Sequence, residues 1–206
     1  MLRISAFVIL CLLSIESWGQ FNGRFIIGCD LYQWYRNPQN NSSELGGSSG
    51  GIFPLVLGTE FMAGKGNYSF GIQTNANLGI FNFDTDYKGL GAVAFPFIAK
   101  VNYGCLSGFS SKMIGFSVGG GIQYQRTELF GLSSKFDQYE REFFPTYIGQ
   151  IEIAGGLGGL NISYYLRMGL NQELKEAFSF NSGVLFSLNY YKRVVEDKKI
   201  SNPLKS

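Results

Sequence analysis

Between Tyr68 and Ile80 the chain sorts its side chains by alternate position, and that sorting limits the fold more than any other feature. Tyr68, Phe70, Ile72, Thr74, Ala76, Leu78 and Ile80 fall on one side; Ser69, Gly71, Gln73, Asn75, Asn77 and Gly79 fall on the other. A helix turns too little per residue to separate neighbours in this way, whereas an extended strand sends successive side chains to opposite faces. The segment is a strand with one apolar face and one face of small and amide side chains.

The same alternation recurs along the chain, punctuated by turn chemistry. Further strands are expected at about 24–35, 52–62, 93–103, 114–125, 147–155, 160–170 and 178–191. In the first, Phe25, Ile27, Cys29 and Leu31 oppose Gly28, Asp30 and Tyr32; in the second, Phe53, Leu55, Leu57, Thr59 and Phe61 oppose Gly58 and Glu60. Lys100 and Asn102 lie opposite Phe97, Ala99 and Val101, and Arg167 lies opposite Leu166 and Met168. The strand at 147–155 has the weakest pattern, with Tyr147, Ile151 and Ile153 against Gln150 and Glu152. Gly64-Lys65-Gly66-Asn67 and Leu157-Gly158-Gly159 read as tight turns and Gly104 to Lys112 as a moderate one, while 36–51, 82–91, 126–146 and 171–177 are mostly longer and more polar. Alternating connection lengths suit an all-β, antiparallel up-and-down barrel of about eight strands with two unlike ends.

Composition tells which way the barrel faces. Hydrophobic residues make up 45% of the 206 and charged residues 16%, against about a quarter charged in soluble domains. A soluble, lipocalin-like barrel would carry Lys, Glu and Asp along its outer face. Here the polar faces hold mainly Gly, Ser, Asn and Gln, which suit a narrow hydrogen-bonded interior, so the apolar faces are expected to look outward into lipid. Closure would pair every backbone N–H and C=O, as hydrocarbon demands. Tyr35, Tyr68, Tyr103, Tyr124, Tyr147 and Tyr190 stand near strand ends, where interfacial aromatic girdles belong.

The first residues read as a sorting signal. Met1-Leu2-Arg3 is a short basic start, Ala6 to Leu13 an apolar run, and Ser17-Trp18-Gly19 a small-residue cleavage site, so residues 1–19 are expected to be removed before Gln20. The apolar run is shorter than the roughly 20 residues of a membrane-spanning helix. Leu10 before Cys11 argues against lipid attachment at that cysteine. Cys29 and Cys105 are too few and too far apart for a disulfide framework or a metal motif.

Asn181-Ser-Gly-Val-Leu-Phe-Ser-Leu188 resembles the last-strand signal that outer-membrane barrels present to their assembly machinery, with Asn181, Gly183, Phe186 and Leu188 at its marked positions. Together with the strand count and the leader, it makes the chain resemble the small outer-membrane barrels of the OmpA/OmpX type across residues 20–193. The resemblance implies a transmembrane β-barrel in the outer membrane, with lipid and the barrel assembly machinery as partners. Residues 194–206 form a short charged tail, expected to be periplasmic, where many such barrels end on an aromatic residue. A Gln-first mature end also resembles exported proteins of Bacteroidetes-type bacteria.

Asp30, Glu60, Lys100, Glu152 and Arg167 all fall on the face assigned to the lumen. A lone buried charge is costly, so a Glu-Lys-Arg network is expected there, structural in role rather than a transport path. The chain has no histidine. That excludes the His-dependent triads of outer-membrane lipid-modifying enzymes, which resemble this chain only in architecture, and removes the commonest metal ligand. An acid pair such as Glu60 and Glu152 inside a filled lumen offers no cleft for glycosidic chemistry. The runs Gly119-Gly120-Gly121 and Gly155 to Gly159 lack the Gly-Lys-Ser/Thr of a phosphate loop. Asp84 and Asp86 read as solvated loop acids, and Asn40 and Asn41 match a glycosylation pattern only formally. A net charge of +2 gives no case for nucleic acid. No enzymatic activity, cofactor or metal is expected.

The loop at 126–146 mixes Phe130, Phe136, Tyr139, Phe143 and Phe144 with charged residues. It is either a surface for a protein partner or an extension of the two strands above the membrane. The functional expectation is a structural or surface-interacting barrel: envelope integrity, adhesion or part of a membrane assembly. A narrow channel is the alternative, and a soluble ligand-binding barrel the more distant one.

Overall fold

In the computed structural model, which describes residues 20–36, 54–83, 89–131, 142–157, 159–171 and 177–190, eight antiparallel strands close into a barrel. They are β1 (Gln20–Arg36), β2 (Leu55–Lys65), β3 (Tyr68–Phe83), β4 (Gly89–Gly104), β5 (Ile114–Gly131), β6 (Phe144–Leu157), β7 (Leu160–Asn171) and β8 (Ala177–Asn189). Each pairs with its neighbour in sequence, and β8 closes on β1. The expected leader and tail, Phe53, the Asp84, Asp86 pair, Asn40 and Asn41 lie outside the described residues.

The start of β1, the end of β8 and the β2–β3, β4–β5 and β6–β7 connections share one end of the barrel. Lys65 pairs with Tyr68, leaving only Gly66 and Asn67 to turn the chain; Gly66 takes φ 61, the left-handed backbone that a two-residue hairpin loop needs. Leu157 pairs with Leu160, and Gly159 before it takes φ 93. The strands at the opposite end run longer than the periodicity predicts: β5 continues to Gly131, and β6 starts at Phe144 rather than near Tyr147.

The strand alternation becomes an inside-out distribution of polarity. Phe70 is 54% exposed, whereas Gln73 is fully buried. Around the barrel the same holds: Phe25, Phe61, Phe97, Val118, Ile151, Ile162 and Leu188 face out, while Asn77, Lys100, Gln123, Gln150 and Asn181 face in. Soluble monomers rarely expose apolar patches beyond a few hundred Å², and here the apolar surface goes all the way round. Among the described inward residues, Ile26, Val56, Tyr165 and Leu185 form one small apolar layer and Cys105, Leu106 and Ala154 another, among mostly polar neighbours.

Two assignments on β1 are corrected. Asp30 pairs with Gly183, but Tyr32 pairs with Ser182, so Leu31 is an extra residue in the ladder, a β-bulge. Leu31 and Tyr32 therefore both face outward, and beyond them Gln33 and Tyr35 turn inward. Tyr32 does not belong to the inner face, nor Tyr35 to a girdle; the Tyr35 hydroxyl accepts a hydrogen bond from Asn181 Nδ2 at 2.9 Å inside the lumen. Tyr68, Tyr147 and Tyr190 are exposed near strand ends, and Tyr103 packs against Tyr68 with ring centroids 5.0 Å apart; Tyr124 is exposed too, but β5 runs on to Gly131, which places it well inside the strand.

Candidate functional site

The lumen gathers the chemistry of this chain, and strand register decides which side chains meet. Arg24 on β1 pairs in register with Glu60 on β2, and both point inward. Lys100 on β4 is separated from Glu60 by β3 and from Glu152, on β6, by β5. The residues of β3 and β5 that pair with Lys100 are Gly71 and Gly119. A Cβ on Gly71 would run into the Glu60 carboxylate, and one on Gly119 into Cβ of Lys100. These two glycines clear the space through which the charged side chains reach across the skipped strands.

The result is a compact ion network. Lys100 Nζ lies 3.0 Å from Glu60 Oε2 and 2.9 Å from Glu152 Oε2, and Arg24 Nε lies 3.1 Å from Glu60 Oε2. Neutral donors complete the carboxylates: Asn102 Nδ2 donates to Glu60 Oε1 at 2.6 Å, and the Ser163 hydroxyl donates to Glu152 Oε1 at 2.5 Å. Two cations face two carboxylates, so the cluster is neutral as a unit. Removing several ions from water costs several kcal/mol each unless they pair with good geometry and hydrogen bonds. Hydrogen bonds satisfy Glu60 Oε1 and both oxygens of Glu152, whereas Arg24 Nε and Glu60 Oε2 meet as an ion pair alone.

Asp30 and Arg167, expected in the same network, lie elsewhere. Along β1 the inward positions run Arg24, Ile26, Gly28, Asp30, which places the apolar layer of Ile26 between the ion cluster and Asp30. Asp30 accepts hydrogen bonds from Tyr165, Gln33, Asn77 at 2.8 Å and Asn181 at 3.1 Å. Arg167 donates to Gln150 at 2.9 Å and Gln123 at 3.0 Å, and its guanidinium lies 4.9 Å from the centre of the Tyr165 ring. The arginine of the Glu-Lys-Arg cluster is Arg24, which the sequence reading passed over. Its signal was present: Arg24 shares the parity of Gly28 and Asp30.

The assembly-signal residues divide by face. Asn181 and Gly183 point into the lumen, and Phe186 and Leu188 point out. In the contact-loop set, Phe130 and Phe143 are exposed, the latter 6.2 Å from the Phe95 ring on the outer wall. Phe144 is corrected: it opens β6 facing inward and is 4% exposed, so it presents nothing to a partner. Phe136 and Tyr139 lie outside the described residues. Among the described residues no group of three or more potential metal-ligating His, Cys, Asp or Glu is found.

An eight-stranded barrel is just wide enough for side chains to fill, and polar side chains fill this one. The fold is a small closed antiparallel up-and-down barrel with an apolar outer face. No protein-family model and no curated protein matches the chain. Among solved structures, it is similar to the N-terminal β-barrel domain of OprF from Pseudomonas aeruginosa, with 12% identity and a TM-score of 0.46, over 82% of this chain and 99% of that one. It is also similar to Neisserial surface protein A, with 10% identity and a TM-score of 0.46, over 82% of this chain and 97% of that one.

Proposed function

We propose that this chain is an integral outer-membrane β-barrel with a structural or surface-interacting role, in envelope integrity, adhesion or a membrane assembly. One observation carries the reading: Glu60, Gln123 and Arg167 are sealed inside while Phe70, Phe97 and Ile151 face outward. Such an outer surface is unfavourable in water and favourable in hydrocarbon, and closure leaves no strand edge unpaired. The paired, neutral ion cluster supports a plug rather than a conducting pore.

Outer-membrane lipid is the first partner under this reading. Barrel assembly machinery is the second, and because Asn181 and Gly183 are buried in the finished barrel, it would read them before closure. A protein partner would meet the end carrying Phe130 and Phe143. Nucleic acid is no partner, and no catalysis is proposed.

Fractionation of cells producing the chain tests the assignment. It should travel with outer membranes, resist an alkaline carbonate wash and dissolve only in detergent. Recovery as a soluble protein without detergent would overturn the proposal. Reproducible single-channel steps in planar bilayers would overturn the plug and favour the narrow channel.

A further inference from the structure

The β4–β5 connection does not cross the rim as the Gly66–Asn67 turn does. It folds into a single turn of 3-10 helix, Cys105–Ser107, and Cys105, Leu106, Ser107 and Phe109 are all buried. The chain enters through Gly104 at φ 67 and leaves through Gly108 at φ 75, both in the left-handed region. A Cβ at Gly104 would also strike the Ile114 carbonyl, so this bend requires glycine.

Polar ties to this segment gather on one side. Asn22 Nδ2 donates to the Gly108 carbonyl at 3.0 Å, and Arg24 donates to the Leu106 carbonyl. The Ser107 hydroxyl donates to the Gly66 carbonyl at 2.9 Å, the Ser110 hydroxyl to Asn67 Oδ1 at 2.7 Å, and the Gly104 amide to the Asn67 carbonyl at 2.9 Å. All five come from β1 or the β2–β3 turn. Toward β6 the segment is held by packing and by further bonds: Cys105 and Leu106 form an apolar cluster with Ala154, Cys105 Sγ donates to the Ala154 carbonyl at 3.7 Å, and the Gly156 amide donates to the Met113 carbonyl at 2.8 Å. Beside the cluster lies a cavity of about 30 Å³ lined by Cys105, Lys112, Gly156, Asn161 and Asn189.

We propose that Gly104–Phe109 is a stopper that closes the short-turn mouth of the barrel and controls the access of water and small solutes to the Arg24–Glu60–Lys100–Glu152 cluster. The ties to Asn22, Arg24, Gly66 and Asn67 hold the stopper on one side, and the Cys105–Leu106–Ala154 cluster holds it on the other. Leu106 and Phe109 keep it shut by burying apolar surface, and Arg24 joins stopper to ion cluster by holding the Leu106 carbonyl as well as Glu60. The device goes beyond the proposed role and does not depend on which membrane or partner the barrel has.

Cys105 is a built-in reporter of whether the stopper opens. Burial pushes its thiol above the ordinary value, so opening would raise both its accessibility and its thiolate fraction. The full chain with Cys11→Ser and Cys29→Ala, folded in lipid vesicles, retains Cys105 as its only thiol. Labelling by a small charged methanethiosulfonate is expected to be at least about 100-fold slower at Cys105 than at a cysteine placed by Ser111→Cys in a Cys105→Ala chain. Removing two ties with Asn22→Ala and Ser107→Ala should speed Cys105 labelling by about tenfold or more. A buried cysteine placed by Thr146→Cys at the far end, again with Cys105→Ala, should stay slow with or without the ties. Equal labelling at positions 105 and 111 would overturn the proposal, as would a Cys105 rate unmoved by loss of the ties. A rise at position 146 matching the rise at 105 would also overturn it, by showing general loosening of the barrel.

Discussion

At the short-turn end of the lumen, Arg24, Glu60, Lys100 and Glu152 cancel one another in ion pairs, whereas beyond the Ile26–Val56–Tyr165–Leu185 layer Asp30 and Arg167 are each held by neutral amides, a hydroxyl and an aromatic ring. Both ends bury charge completely, but by different means. In the first, long side chains cross the lumen over glycine gaps and find opposite charge. In the second, side-chain dipoles hold each ion in place, four donors on Asp30 and two acceptors on Arg167, whose Nη2 has no hydrogen-bond partner. The first solution depends on every member being present, because removal of one leaves an unpaired buried ion. The second spreads the load, so loss of one group is partly absorbed by the others.

The largest expected effect is therefore Lys100→Ala, which leaves Glu60 and Glu152 facing one another without their shared cation. Unfolding in lipid vesicles, followed by urea titration, should show a loss of about 3–5 kcal/mol. A loss under 1 kcal/mol would erase the difference between the two ends. Asp30→Asn keeps the shape and an acceptor for Tyr165, and should cost less, about 1.5–3 kcal/mol, the worth of hydrogen bonds to a charged group. The same titration gives the comparison, and a larger loss for Asp30→Asn than for Lys100→Ala would reverse the ranking. Arg167→Lys replaces a planar fork by a point charge and should cost about 1 kcal/mol. The smallest expected quantity is a coupling energy. Lys100→Met and Arg167→Lys share no partner, so their combined effect should equal the sum of the single effects within about 0.5 kcal/mol. Arg24→Gln and Lys100→Met both act on Glu60, and a double-mutant cycle should find them coupled by more than that.

The periodicity made β3 and β7 legible because nothing interrupts the two-residue repeat of β7, nor that of β3 before its register with β4 shifts beyond Gly79: β3 was expected at 68–80 and runs Tyr68–Phe83, and β7 was expected at 160–170 and runs Leu160–Asn171. It failed along β1 beyond Asp30 because the bulge at Leu31 is a backbone event. Leu31 and Tyr32 each suit an outward face, so their side chains do not announce the slip. The stopper was concealed by its surroundings. Gly104 to Lys112 reads as a turn from its glycines and serines, yet Cys105, Leu106 and Phe109 are poorly matched to a solvated rim, and that mismatch was the available signal. Phe144 was misplaced because β6 starts earlier than its weak pattern allowed, through Phe144-Pro145-Thr146. Membership of the ion cluster needs more than parity. Asp30 and Glu60 share an inward face, but only inter-strand register tells which cation stands at the same height.

The direction in which neighbouring side chains point decides which face meets lipid, and β7 offers the most direct measurement. Tyr164 is 41% exposed and Tyr165 is fully buried. In chains carrying Trp18→Phe and Trp34→Phe, Tyr164→Trp and Tyr165→Trp each leave one fluorescent reporter. Folded into vesicles of lipids brominated along the acyl chain, the reporter at position 164 should be strongly quenched and the one at 165 barely affected. Strong quenching at 165 with none at 164 would turn the barrel inside out and contradict the account.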